Sequence, residues 1–156
     1  MKVNLGSGPI RHEGFINMDA SPHVNPDIVC NIEKGISLED NSVTEIKAHM
    51  ILEHVSDIIF VMNEIWRVLK PGGKIEIVVP HETSAMAWGD PTHKRVFNEE
   101  SFGYFCSKWD GGINKKSNHY RVHKEYGIEC NFEMLSQKVH LDRRSGHIKA
   151  ILKAIK

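Results

Sequence analysis

The sequence lacks most of what would assign it to an unusual setting. Its three cysteines, Cys30, Cys106 and Cys130, form no CxxC pair. That excludes a disulfide framework and a cysteine zinc site, and points to a reducing, cytoplasmic compartment. No stretch reaches the ~20 consecutive apolar residues of a membrane span, and the opening "MKVNLGSG" has no signal-peptide apolar run. Charge of one sign is also missing. Twenty basic residues cancel twenty acidic ones, so overall charge draws the chain toward neither nucleic acid nor an anionic membrane. No repeat, low-complexity tract or linker interrupts it. What is present is 40% apolar and 26% charged over 156 residues, enough for one apolar core in a single domain spanning 1–156.

A further absence shapes the fold. "VNLGSGPIRHEGFINMD", residues 3–19, reads as strand, glycine turn and strand, with seven residues between Gly8 and Ile16. A crossover containing a helix needs roughly a dozen or more residues. An extended return of the same length spans about 25–30 Å, enough for parallel pairing past a ~17 Å strand. Residues 20–26 are likewise too few for a helix before the next strand, "DIVC". Without a helix N-terminus there is no ready pyrophosphate site. The dinucleotide glycine pattern also fails, because Arg11 stands where its third glycine belongs. NAD and FAD are therefore not expected.

"TEIKAHM" reads as a fourth strand. "SDIIFVMNEIWRVL", residues 56–69, carries apolar residues at 58, 59, 62, 65, 66 and 69, the spacing of one helix face. Ser56 is its expected N-cap, and "KPGG" ends it. "KIEIVVP" is a buried strand closed by Pro80, and strand, helix, strand in this order imply a right-handed parallel crossover. "NEESFGYFCSKW" reads as a short helix from Asn98. "IECNFEMLSQKVHL" and "HIKAILKAI" read as an antiparallel hairpin around "DRRSG", although the second is equally compatible with a helix by composition.

"VNLGSG", the acidic Asp19 after strand two, "DIVCNIEKGISLEDNSVTEIKAHMILEHV" and "RVLKPGGKIEIVVP" together resemble class I S-adenosylmethionine-dependent methyltransferases. The resemblance covers residues 3–80. It implies an α/β, Rossmann-like, mostly parallel sheet with a C-terminal antiparallel hairpin, a minimal form of that fold with helices missing. Residues 1–80 would be the cofactor half, and 81–156 the substrate half with the terminal hairpin. The implied cofactor, S-adenosylmethionine, carries no phosphate and can lie over a bare glycine turn. By the same resemblance Asn4, Gly6, Ser7 and Gly8 form that turn and Asp19 binds the ribose hydroxyls. Asn31 and Ile32 meet adenine, and Ala48, His49 and Met50 lie near the methionine part. Three positions depart from the pattern: Asn4 where an acid is usual, Ile10 where a third glycine is common, and Asn31 where Asp often stands.

The loop after strand five, "HETSAMAWGDPTHKRVF", occupies the place where open α/β sheets bind ligands. Its "DPTHKR" resembles a segment of small methyltransferases associated with bacterial surface-polysaccharide clusters. His81, Asp90 and His93 are candidate bases for a hydroxyl acceptor, and Arg95 a candidate for an acidic acceptor group. Glu53 and His54, at a strand-to-helix junction, read as capping groups. His119 and His123 have metal-binding spacing for a helix, but their surroundings show little helical character, and no residue is assigned to a metal. Trp88 and Trp109 pack either over the pocket or in the core or an interface. No Pro-Cys nucleophile and no D/N-P-P-Y/F segment is present. With zero formal charge, this favours a small molecule or sugar over nucleic acid as acceptor. A non-catalytic cofactor-binding or scaffold subunit is the competing class. Because missing helices would leave sheet residues uncovered, a homodimer is expected.

Overall fold

The computed structural model describes residues 1–108 and 119–156, with the side chains of 119–122 left aside. Eight strands form one sheet in the order β3-β2-β1-β4-β5-β8-β7-β6. The parallel half comprises β1 (Lys2–Leu5), β2 (Ile16–Asp19), β3 (Ile28–Val29), β4 (Val43–His49) and β5 (Leu69–Pro80). The terminal hairpin of β7 (Phe132–His140) and β8 (His147–Ala154) adds to it antiparallel, β8 against β5. A short β6 (Cys106–Lys108) lies parallel to β7 at the edge. "HIKAILKAI" is therefore a strand, and its alternation fits that outcome: Ile148, Ala150, Leu152 and Ala154 are buried while the residues between them are half-exposed.

One face of the sheet holds the core. Val3, Leu5, Ile46, Ala48, Ile75, Ile77 and Val79 are all fully buried on it, where each large aliphatic side chain contributes about 1.5–3 kcal/mol. Helix α1 (Ile58–Val68) covers it with Val61, Met62, Ile65 and Val68. Asp57, not Ser56, is its N-cap: the Asp57 carboxylate accepts from Phe60 N at 2.9 Å. The Ser56 amide instead donates to Glu33 Oε1. The short helix expected from Asn98 is absent, because the Asn98 side chain accepts from the Glu100 amide and the Ser101 hydroxyl, closing a turn in place of a helix. A single turn at Gly103–Phe105 and strand β6 follow. Helix α2 (Ala85–Gly89), unforeseen in the sequence, lies in the loop after β5. His119, His123 and Tyr126 fall in a 3₁₀ segment, His119–Tyr126. Trp109 lies outside the described residues, and Trp88, 71% exposed, is not in the core but borders a cleft with Asp90 and His93.

The opposite face shows what the short connections do. No α-helix is present between β1 and β2 or between β2 and β3, and polar groups take over the work. Asn4 Nδ2 donates to the Ile10 carbonyl at 3.0 Å and to Asn17 Oδ1 at 3.1 Å. Asn17 in turn donates to Asp27 Oδ2 from both its backbone and its side chain. Two donors are needed at position 4, and an aspartate has none. This explains the Asn where the family pattern has an acid. Elsewhere this face is charged: Lys2 pairs with Glu45, Glu76 with both His49 and Lys149, and Lys153 with Glu133. The uncovered apolar patch that motivated a homodimer is not found there.

Candidate functional site

Two clefts open along the carboxyl ends of the parallel strands. The first, about 180 Å³, runs from the turn after β1 to the residues after β4, and Gly6, Asp19, Asn31, Ile32, Ile51 and His54 are among its lining. Gly6 has φ of +61° and Gly8 +50°, a left-handed path that favours glycine. Gly6 is also needed for space, since a Cβ there would lie 2.5 Å from Ile51 Cγ1. Asp19 is fixed by the turn it faces: Oδ2 accepts from Gly8 N at 2.8 Å and Oδ1 from Ser21 N at 2.9 Å. Each oxygen keeps a further lone pair for a ligand hydroxyl. Asn31 caps the turn that follows it, its Oδ1 accepting from Glu33 N.

Behind this wall, α1 grips the segment 36–40. Glu64 accepts from Ile36 N, and Arg67 donates to the Ile36 and Leu38 carbonyls and to both Glu64 and Asp40. Hydrogen bonding to Arg67 holds the Glu64 carboxyl below the usual glutamate range.

The second cleft, about 540 Å³, lies beside the first and shares His54 with it; Met50, Glu53, Asp90 and His93 are in its lining. Met50 adopts φ of +52°, a costly conformation for a side chain with a Cβ. It turns the chain from β4 into the short turn Leu52–His54. Glu53 is 1% exposed, and among the described residues its Oε2 has no hydrogen-bond partner. Burial pushes its carboxyl up to about 7. The His54 and His93 rings meet edge to face, 4.7 Å between centroids. His93 Nδ1 lies 3.2 Å from the Ala87 carbonyl and its Nε2 lies 3.9 Å from Asp90 Oδ2. His54 Nδ1 lies 2.9 Å from Thr92 Oγ1, which is itself 2.6 Å from Asp90 Oδ1.

The structure sorts the expected residues. Gly6, Asp19, Asn31 and Ile32 meet in the first cleft, Met50, Asp90 and His93 in the second. Ser7 and Gly8 shape the turn, with Ser7 N bound to the Met18 carbonyl. Five other residues are engaged elsewhere. Asn4 holds the return segment. Ala48 is in the core and His49 is paired with Glu76 on the charged face. His81 is buried against Thr83 and Glu99. The Arg95 guanidinium is bound to the Val55 and Ser56 carbonyls, which leaves it to tie the loop down. Glu53 and His54, expected as capping groups, face the second cleft instead, and the His54 side chain caps nothing. The usable signal was their position immediately after a strand that ends at the ligand-bearing edge.

Residues 13–77 match the family described as Methyltransferase domain. That segment is similar to a methyltransferase domain. The matched segment begins after the glycine turn and covers under half of the chain. No curated protein matches the sequence. Among solved structures, the S-adenosylmethionine-dependent methyltransferase from Archaeoglobus fulgidus is 16% identical with TM-score 0.63, covering 97% of this chain and 85% of that one. The 1,6-didemethyltoxoflavin-N1-methyltransferase of Burkholderia thailandensis, solved with its acceptor and S-adenosylhomocysteine, is 11% identical with TM-score 0.63, covering 99% and 71%. The [4+2]-cyclase SpnF shares the fold at 14% identity and TM-score 0.65, covering 99% and 75%. These identities establish a common fold. No helix among the described residues is long and apolar enough to cross a membrane.

Proposed function

We propose that the protein methylates a hydroxyl group of a small-molecule or sugar acceptor. The observation that carries this reading is the junction of the two clefts at His54: one offers a glycine bend and an oriented carboxylate, the other the buried Glu53 carboxyl beside the half-buried, oriented imidazoles of His54 and His93. In the first cleft Asp19 would bind the ribose hydroxyls, Gly6 and Gly8 would let the cofactor approach the backbone, and Asn31 with Ile32 would border adenine. The residues fit this ligand chemically. Asp19 has acceptor capacity left after its two turn amides, and no backbone cradle for a phosphate is needed. At about 180 Å³ the first cleft alone is smaller than the ~300 Å³ and upward typical of small-ligand pockets. The methionine end must therefore run past Ile51 and His54 toward the second cleft.

When bound, S-adenosylmethionine supplies an electrophilic methyl group. The protein's own task is mainly alignment. The second cleft holds the acceptor hydroxyl beside His54, His93 and Glu53, with Asp90 bracing His54 through Thr92. Nothing in this reading requires a second copy of the chain, since both clefts are lined from one chain. A binding-only role would leave a buried, unpartnered carboxylate and two oriented imidazoles without a purpose.

Incubation with methyl-labelled S-adenosylmethionine and a panel of sugars, nucleotide sugars and phenols tests the proposal. Label transferred to an acceptor oxygen is expected. Tight cofactor binding without transfer to any acceptor would favour the binding-only subunit.

A further inference from the structure

Methyl transfer asks for alignment and does not by itself call for the cluster of Glu53, His54 and His93. One ligand atom from each of these residues lies within 4.8 Å of the other two. Hydrogen bonding settles the tautomers. The Thr92 hydroxyl has one proton and lies 2.6 Å from the Asp90 carboxylate, which can only accept. His54 Nδ1 must then donate to Thr92 Oγ1. His93 Nδ1 faces the Ala87 carbonyl, an acceptor, and must donate as well. In each neutral imidazole the lone pair is then on Nε2. Beside them lies Glu53, 1% exposed, with an oxygen that no hydrogen bond satisfies among the described residues. A buried acceptor without a partner is costly to keep. A cation satisfies all three at once.

We propose that Glu53, His54 and His93 bind one divalent transition-metal ion of the zinc class, and that an open coordination position on it takes the acceptor's hydroxyl oxygen in the second cleft. Two imidazoles and one carboxylate suit zinc, iron, cobalt or nickel, whereas magnesium and calcium prefer all-oxygen sites. Three protein ligands with a position left open is the arrangement of catalytic rather than structural zinc. The outer contacts are also those of a metal site: each histidine donates its other ring N–H, one to a carbonyl and one through Thr92 to Asp90. Asp90 Oδ2, 3.9 Å from His93 Nε2, adds negative charge beside the ion. Ion binding stands on this geometry alone; only the hydroxyl's place on the ion rests on the methyl-transfer reading.

The full chain, freed of metal by chelator dialysis, is titrated with Zn²⁺ by calorimetry and with Co²⁺ by visible absorption. One Zn²⁺ per chain and the ligand-field bands of imidazole-bound Co²⁺ are expected, with no saturable Mg²⁺ binding. Glu53→Gln, His54→Ala and His93→Ala should each weaken Zn²⁺ binding at least about tenfold. His140→Ala should change nothing, although His140 and His147 also lie ring to ring, 5.2 Å apart. Circular dichroism confirms that each variant is folded, and the Co²⁺ spectrum of the unaltered chain needs no variant at all. Absence of saturable Zn²⁺ binding, absence of the Co²⁺ bands, or binding undiminished in folded Glu53→Gln and His93→Ala overturns the site. A separate titration of the metal-free chain with S-adenosylhomocysteine reports on the cofactor cleft, so failure of one reading is distinguishable from failure of the other.

Discussion

The two clefts are built on opposite principles. In the first, backbone conformation and a pre-bound carboxylate define the shape: Gly6 and Gly8 are left-handed, Asp19 is held by two amides, and the wall at 31–40 is tied to α1 through Glu64 and Arg67. In the second, side chains brought together from distant parts of the chain carry the chemistry, and one of them is buried without a partner. The first cleft is satisfied without a ligand and the second is not. On the proposed function, the division of labour is recognition of a cofactor by shape next to a reactive site kept in an unsatisfied state.

Altering each cleft separately tests that division. The largest effect is expected from Gly6→Ala. Its Cβ would lie within 2.7 Å of three Ile51 side-chain atoms, and the left-handed backbone disfavours any side chain; together these should cost about 2–4 kcal/mol of stability. Cofactor binding should disappear by calorimetry. Adding Ile51→Ala should recover only the part of the packing share due to Cγ1 and Cδ1, since Ile51 Cβ would itself lie 2.7 Å from the added methyl, and a double-mutant cycle on thermal melts would resolve that part.

A smaller effect is expected behind the wall. Glu64→Gln removes a carboxylate that binds Arg67 and the Ile36 amide, and should cost about 1–2 kcal/mol at pH 7. Because the folded-state pKa of Glu64 is depressed, this stabilisation is present above the unfolded glutamate value and is lost as pH falls through the folded one. Urea denaturation of both proteins should therefore differ at pH 7 and converge in acid.

Much of the scaffold was legible from local pattern. The gap between Gly8 and Ile16 was too short for a helix, and the chain does return extended to pair Val3 with Ile16 in parallel. The alternation of "HIKAILKAI" allowed a strand, and pairing with β5 decided it. Other features depended on a contact that no local window contains. Asn98 diverts its neighbours into a turn through its side chain, defeating a helix that the acidic residues after it suggested. The helix-free face was expected to be apolar because the family covers it, yet Glu45, Lys47 and His49 alternate along β4 and leave that face polar. That signal lay in the sequence. The cluster in the second cleft was harder to foresee, since His93 is separated from Glu53 and His54 by α1 and all of β5. In a linear reading, Glu53 and His54 are indistinguishable from capping residues.

The central claim is that Asp19 holds a nucleoside over a bare glycine bend. Calorimetric titration of S-adenosylhomocysteine into the unaltered chain and into Asp19→Asn tests it most directly, with circular dichroism confirming the fold, since the near-isosteric change removes the charge and one of the two oxygens that accept from the Gly8 and Ser21 amides. Saturable binding that weakens at least about tenfold in the variant, as expected when a charged acceptor of two hydroxyl hydrogen bonds is lost, is the predicted result. No binding by the unaltered chain, or equal binding by both, would contradict it.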